Sequence, residues 1–375
     1  MEHTDLSQKA AAYQKIRRRL TLFHLFFTPS LLLTLVLTGL TFAMRRNAVA
    51  LAHGNEGIVV AVYFLLFSLY FLIFDLPVSY YSGFVLEHQF GLSNQNFKSW
   101  LWELLKKTLL SFTLSLALLE FLYLIIRKFP ESWWIWAWAG YALVSYVMGK
   151  VFPVLIVPLF YKYGKLEDKT LEEKILKLVG RFGMPVKNVY ALNLSKTTKK
   201  ANAAFMGIGK TKRVVLSDTL INHFSHPEVE VVVAHELGHF KHHDIWRLFF
   251  LGMITSFFAF GIGFWGMNRL AHSMNLTSTA DVAGLPILFL IFYLVNLVLM
   301  PLLNAYSRHQ ENEADLFALR AGFHKNDFIS CMQKLGSQNL ADPNPPAWYE
   351  WLFYDHPSIG KRIEMAEQYQ PDQVR

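Results

Sequence analysis

Ile58-Val59-Val60-Ala61-Val62-Tyr63-Phe64-Leu65-Leu66-Phe67-Ser68-Leu69-Tyr70-Phe71-Leu72-Ile73-Phe74-Asp75-Leu76-Pro77-Val78 contains one acid and no base. As a helix it is apolar on every face, and about 20 such residues cross the ~30 Å hydrocarbon core of a bilayer. Five other runs read the same way: residues 20–44, 104–126, 133–159, 248–267 and 285–303. A buried core helix would account for one of them, not for six. Of the 375 residues, 53% are hydrophobic and only 17% charged, with 32 Phe and 10 Trp, which excludes an ordinary soluble domain. The run at 20–44 starts too far in, and lacks the small-residue cleavage site, to be a removable signal peptide. The expected fold class is mainly α: a multi-pass α-helical membrane protein of six or seven transmembrane helices, with a small α+β unit between spans.

Basic residues orient the spans. Lys9, Lys15, Arg17, Arg18 and Arg19 precede the first run, and residues 161–247 carry Lys196, Lys199, Lys200, Lys210, Lys212 and Arg213. The opposite loops at 45–57, 127–132 and 268–284 are shorter and poorer in charge. With six spans, both termini and the 161–247 segment face the cytoplasm, in a bacterial inner membrane or the endoplasmic reticulum. The net charge of +8 suits an anionic membrane face, so membrane lipid is an expected partner. Nucleic acid is not, because no binding motif accompanies the dispersed lysines. Cys331 is the single cysteine, which excludes an intrachain disulfide.

Between the fourth and fifth runs stands His235-Glu236-Leu237-Gly238-His239. On a helix, residues i and i+4 share a face, so His235 and His239 can bind one Zn²⁺ through neutral imidazoles. Glu236 is one step from a ligand without being one. It suits a general base acting on a zinc-activated water. The motif follows Val229-Glu230-Val231-Val232-Val233-Ala234, apolar enough to bury a helix. A catalytic zinc takes a third protein ligand and keeps an open position. Six residues past His239 stands Ile245, so the third ligand lies elsewhere. His242 and His243 read as solvated. Downstream, Glu311 and Asp315 are i,i+4 in a helical stretch, so Glu311 can ligate while Asp315 orients a ligand histidine. Glu313 lies on another face and reads as a surface charge.

Glu311-x-x-x-Asp315 after His235-Glu236-x-x-His239 is the gluzincin arrangement. Arg308-x-x-Glu311-x-x-Ala314-Asp315 resembles the integral-membrane zinc proteases of the type I CAAX prenyl protease family. Leu76–Glu87, Pro158-Leu159-Phe160-Tyr161-Lys162-Tyr163, Asn202-Ala203 ahead of Arg213–Leu220, and His356-Pro357 with Arg362 resemble further segments of that family. The resemblance runs from about residue 76 to about 362, with no match in the first seventy residues. It implies that His356 stabilises the oxyanion, that Arg362 pairs with Glu311, and that Asn202 binds the substrate backbone. It also implies one Zn²⁺ per chain and a peptide or protein substrate cleaved near a C-terminal Cys-a-a-X whose cysteine is prenylated. Finally it implies seven spans where six runs are counted. Either the first family helix is missing, or 133–159 hides a break at Pro153 or Pro158.

The soluble part reads as an amphipathic helix at 168–182 and two short strands, Val189-Tyr190-Ala191-Leu192 and Arg213-Val214-Val215-Leu216. The polar loop 196–202 lies between the strands. The chain thus divides into a membrane region, 1–160, with four spans, and a peptidase region, 161–375, with two more at 248–267 and 285–303. The nearest rival function is a heat-shock-type membrane quality-control zinc protease with unprenylated substrates. A transporter with a structural metal site is a rival of another class. Asp75 and Glu120 would be its intramembrane acids, while an intact Glu236 argues against it.

Overall fold

The structure, a computed structural model, describes residues 2–184, 186, 188–207 and 213–370. Lys210 and Lys212 lie outside the described residues. Helix α1 (Glu2–Leu37) is followed by α2 (Leu40–Ala52) and by α3 (Glu56–Tyr80), which continues through a π-type turn into α4 (Leu86–Gln89). Then come α5 (Phe97–Lys128) and α6 (Trp133–Val151), the latter running through a second π-type turn into α7 (Val157–Phe160). Among the described residues, six helices are long and apolar enough to cross a membrane: Ser7–Leu37, Glu56–Gln89, Phe97–Lys128, Trp133–Phe160, Asp244–Ser273 and Val282–Arg320.

Two boundaries differ from the sequence reading. The apolar run at 20–44 is not one helix. Gly39 sits at φ 71°, a left-handed conformation that glycine adopts without steric cost, and it separates α1 from α2. What reads as the loop at 45–57 is therefore mostly helix. Met44 and Ala48 of α2 pack into one buried cluster with Val60, Tyr63 and Phe64 at the start of α3. In contrast, 133–159 has no break; the chain accommodates Pro153 in its π-type turn and leaves the helix at Phe160, just past Pro158.

The peptidase unit begins with β1 (Tyr163–Lys165), α8 (Lys169–Arg181) and β2 (Val189–Leu192). It continues with β3 (Ala203–Met206), β4 (Arg213–Ser217), α9 (Asp218–His223) and α10 (His226–Lys241). The strands form one sheet in the order β1-β2-β4-β3, parallel only between β2 and β4. Sequence reading found β2 and β4 but missed β1 and β3. The amphipathic α8 buries Leu171, Ile175, Leu178 and Val179 in a core shared with β4 and α10. Then α11 (Asp244–Ser273) and α12 (Leu285–Arg320) return through the membrane, and α13 (Lys325–Gln338), α14 (Ala347–Phe353) and α15 (Ile359–Gln368) close the chain.

The loop leading into β3 is bonded to the membrane helices. Lys200 Nζ lies 2.9 Å from Glu87, which also accepts from Tyr13 Oη of α1 at 2.6 Å. Lys196 pairs with Glu103 of α5 at 2.7 Å. The first helix also reaches the other side of the same unit: Gln14 donates to the Leu340 carbonyl, and Arg18 pairs with Asp342. The start of α1 therefore sits against the peptidase unit, at the same end of the bundle as α13 and α15.

α10 and α12 pack tightly at Gly238. A Cβ there would lie 2.9 Å from Ala314 Cα and 3.2 Å from its carbonyl oxygen. Backbone, not a flexible side chain, fills that space. We predict that Gly238→Ala destabilises the fold although it gains about 1 kcal/mol of helix propensity, because overpacking of this kind costs about 1–3 kcal/mol. A thermal melt checks this; a stabilised variant would mean that the helices do not approach so closely.

Candidate metal centre

The α10 sequence is a poor helix former by itself, because Val229, Val231, Val232 and Val233 are β-branched. Two things outweigh that. Ser225 and Glu228 form a reciprocal capping box, and Glu228 accepts from Ser330 and Lys334 of α13 at 2.6 and 2.7 Å. Val229, Val231, Val233, Ala234 and Leu237 are all buried in the peptidase core. The helix so fixed carries His235 and His239 on one face.

That face meets α12. His235 Nε2 lies 3.3 Å from Glu311 Oε2, and His239 Nε2 lies 3.2 Å from Glu311 Oε1. The two Nε2 atoms are 3.2 Å apart. One donor atom from each of His235, His239 and Glu311 falls within 4.8 Å of the others, the spacing expected around a single metal ion. Each imidazole is committed on its far side: His235 Nδ1 to Asp315 Oδ1 at 2.7 Å, and His239 Nδ1 to Asp244 Oδ2 at 3.0 Å. With Nδ1–H donating to a carboxylate, each Nε2 presents a lone pair inward. Two lone pairs and a carboxylate facing one another repel unless a cation stands between them. Glu311 Oε2 is buried without a hydrogen bond among the described residues, although His235 Nε2 is within ion-pair range. The donor set fits a metal ion.

The surrounding charges are consistent with that. Burial opposes protonation of His235, but the Asp315 carboxylate outweighs it and raises the histidine pKa to about 9. Bound metal would take the place of that proton. Asp315 is fully buried and also receives Arg362 of α15, at 2.7 Å to Nε and 2.5 Å to Nη2. This corrects the expected partner: Arg362 is paired with Asp315, not with Glu311. The two carboxylates lie one turn apart on the same face, and Arg362 reaches the deeper one.

Glu236 is half-buried while His235 and Leu237 are buried. Its Oε2 accepts from the Phe205 N–H at 3.3 Å, which places it against β3, the edge strand nearest α10. His356 comes in from the loop before α15, with Nε2 3.2 Å from Glu311 Oε1 and Nδ1 2.8 Å from Asp355 Oδ1. Asp355, its hydrogen-bond partner, raises the His356 pKa. Asn202 is exposed at the start of β3. Its backbone bonds Ser217 in both directions, and its side-chain amide has no hydrogen-bond partner among the described residues. Glu313 is half-buried and stands outside the convergence.

Two residues escaped the sequence reading. Asp244 holds His239, and Gln310 of α12 donates to the other Asp244 oxygen at 3.0 Å. His243 at φ 59° makes the turn that brings Asp244 back under the helix. The signal available was an acid shortly after His239 on a helix start, and the turn hides its direction. His243 is exposed as expected. His242 is not simply solvated: its ring meets Phe317 edge-on at 6.0 Å, and its Nδ1 is buried without a partner among the described residues.

Residues 165–370 match the model of peptidase family M48, and residues 3–162 match the CAAX prenyl protease N-terminal region, described as five membrane helices. Among the described residues, four helices of this half are long enough to cross a membrane; α2, at 13 residues, is not. The 133–159 run is one continuous helix and hides no further span. The chain is 34% identical to a CAAX prenyl protease 1 homolog of Arabidopsis thaliana, over 78% of this chain and 70% of that protein. It is 30% identical to CAAX prenyl protease 1 of Saccharomyces cerevisiae, over 77% and 68%. It is also 30% identical to the uncharacterized metalloprotease YhfN of Bacillus subtilis, over 76% and 68%. Among solved structures, that of S. mikatae Ste24p superimposes with a TM-score of 0.87 at 25% identity, over 97% of this chain and 89% of that one. Membrane helices, a metal-binding donor set and matches along nearly the whole length agree: this chain belongs to peptidase family M48, as an integral-membrane metalloprotease of the CAAX prenyl protease type.

Proposed function

We propose that this chain is a zinc endopeptidase that removes the residues following a prenylated cysteine at the C-terminus of Cys-a-a-X proteins. The observation that carries the reading is the convergence of His235, His239 and Glu311 beside a half-exposed Glu236 at a sheet edge. Two imidazoles and one carboxylate are a zinc donor set that leaves a position open. When bound, zinc would polarise the scissile carbonyl and lower the pKa of a water. Glu236 takes the proton from the attacking water and returns it to the leaving amine. His356 donates from Nε2 to the developing oxyanion, and its hydrogen-bonded Asp355 favours the charged ring. Asp315 with Arg362, and Asp244 with Gln310, hold the two imidazoles in register. Substrate adds as a strand along β3, with the free amide of Asn202 bonding its backbone. The prenyl requirement rests on the names of the relatives and on the suitability of a membrane bundle for a lipidated tail. A closed structural metal is disfavoured, since three ligands converge among the described residues and a base stands next to them.

The division into a membrane region, 1–160, and a peptidase region, 161–375, follows the exit of the chain from α7. We place the zinc site and both termini on the cytoplasmic side. The contacts of α1 with Leu340 and Asp342 support a shared side, and the basic residues before the first run set its sign.

The substrate reading is tested with a farnesylated Cys-a-a-X peptide beside its unprenylated twin. Preferential cleavage of the farnesylated form is expected; equal cleavage would favour the quality-control reading. For the metal, Glu311→Ala should strip zinc, Glu313→Ala should keep it, and Asp315→Ala should lose about 10–100-fold in affinity. Glu236→Gln should retain zinc and lose nearly all hydrolysis, as metal analysis and peptide turnover on one sample will show. His356→Ala should keep zinc and substrate affinity while losing on the order of 10²–10³-fold in turnover. Wild-type turnover in a stably folded His356 variant removes that residue from the mechanism. A reporter fused at either terminus should read cytoplasmic; opposite readings would mean an odd number of crossings.

A further inference from the structure

Asn304, Arg308, Glu311 and Asp315 follow one another on α12 at spacings of four, three and four residues, which puts them on one stripe of the helix. The lower two residues belong to the site already described. The upper two bind something else. Asn304 Nδ2 donates to the Leu352 carbonyl at 2.6 Å. Arg308 Nη1 meets the carbonyls of Glu350, Trp351 and Tyr354 at 3.2, 3.3 and 2.5 Å. These four carbonyls lie at the C-terminal end of α14 and its cap, where a helix runs out of internal partners, although the Glu350 carbonyl also accepts from the Tyr354 N–H. The guanidinium also puts positive charge where the helix end carries its partial negative charge. Arg308 has no ion-pair partner among the described residues; its guanidinium serves only those carbonyls.

The segment so gripped runs directly into His356. Its far end is gripped as well. Buried Glu350 accepts from the Ser358 N–H at 3.0 Å and from Lys361 Nζ at 2.7 Å. Four residues past Ser358, Arg362 closes on Asp315. Residues 352, 354 and 362 are thus fastened in order to residues 304, 308 and 315 of α12. His356 lies between the fastenings, opposite Glu311, the residue between Arg308 and Asp315 on the stripe. An exposed loop histidine, touching Asp355 beside it and Glu311 across from it, would otherwise sample many positions.

We propose that Arg308 and Asn304 are positioning residues for the peptidase reaction: they strap the end of α14 to α12 and so register His356 against the carboxylate of Glu311. The proposal rests on the reading of His356 as oxyanion donor only for its effect on turnover; the strap itself has a separate readout.

The test uses the full chain, purified in detergent. Arg308→Met should retain metal and KM and lower kcat about tenfold, since misplacing a reacting group by about an ångström costs up to 10²-fold. Hydrogen exchange of the 354–358 amides should accelerate. Arg308→Lys should recover part of the loss, because all three carbonyls are met by Nη1 alone and an ammonium carries three N–H donors. In a His356→Ala background, Arg308→Met should cause no further loss of kcat. The same fractional loss in that background, loss of metal, or unchanged exchange at 354–358 would overturn the proposal. If His356→Ala alone turns over normally, the oxyanion reading falls, and the exchange result then decides the strap by itself. If Arg308→Met does not fold, Asn304→Ala, which frees only the Leu352 carbonyl, carries the same comparison.

Discussion

Asp315 is a carboxylate with no solvent exposure, and three helices meet on it. It sits on α12, holds His235 of α10 by one oxygen, and takes Arg362 of α15 in a two-point grip. An isolated buried carboxylate would be prohibitively costly, so each of these partners is obligatory. Removing one partner of such a buried pair typically costs about 3–5 kcal/mol, because the other charge is left uncompensated. The same contact that makes the burial tolerable fixes the tautomer and the aim of His235. Stability of the core and geometry of the site are thereby one problem with one solution.

The rest of the arrangement can be followed outward from there. Gly238 lets α10 lie against the Ala314 backbone, and only at that separation do the two Nε2 atoms and Glu311 converge. Asp244 repeats for His239 what Asp315 does for His235, with Gln310 of α12 in place of an arginine. β3 lies alongside α10, with the Phe205 N–H on Glu236. The loop before it is held by Glu87, Glu103 and Tyr13 from membrane helices. The membrane bundle therefore acts on the chemistry through the edge strand, and the α14–α15 segment acts on it through His356.

Much of this was legible because helical spacing is rigid. Histidines at i and i+4, and carboxylates at 311 and 315, share faces whatever the tertiary structure. What was hidden depended on a turn or on choosing between equivalents. Nothing in a helical repeat says whether Arg362 will reach Glu311 or the residue one turn further on. Asp244 could not be seen beneath His239 without the left-handed turn at His243. β3 reads Ala203-Ala204-Phe205-Met206, with no β-branched residue to mark a strand. α2 was concealed because the apolar run at 20–44 crosses Gly39 without a charged residue, and because Arg45 and Arg46 look like the start of a loop.

The central claim is one metal ion held by two imidazoles and one carboxylate from two helices. X-ray absorption at the zinc edge of the loaded full-length protein tests it most directly. The account predicts two nitrogens at about 2.0–2.1 Å, oxygen ligands at about 2.0–2.2 Å and no sulfur, with the Glu311→Ala protein unable to hold that shell. A shell of four imidazoles, a sulfur ligand, or an unchanged spectrum from the Glu311→Ala protein would contradict it.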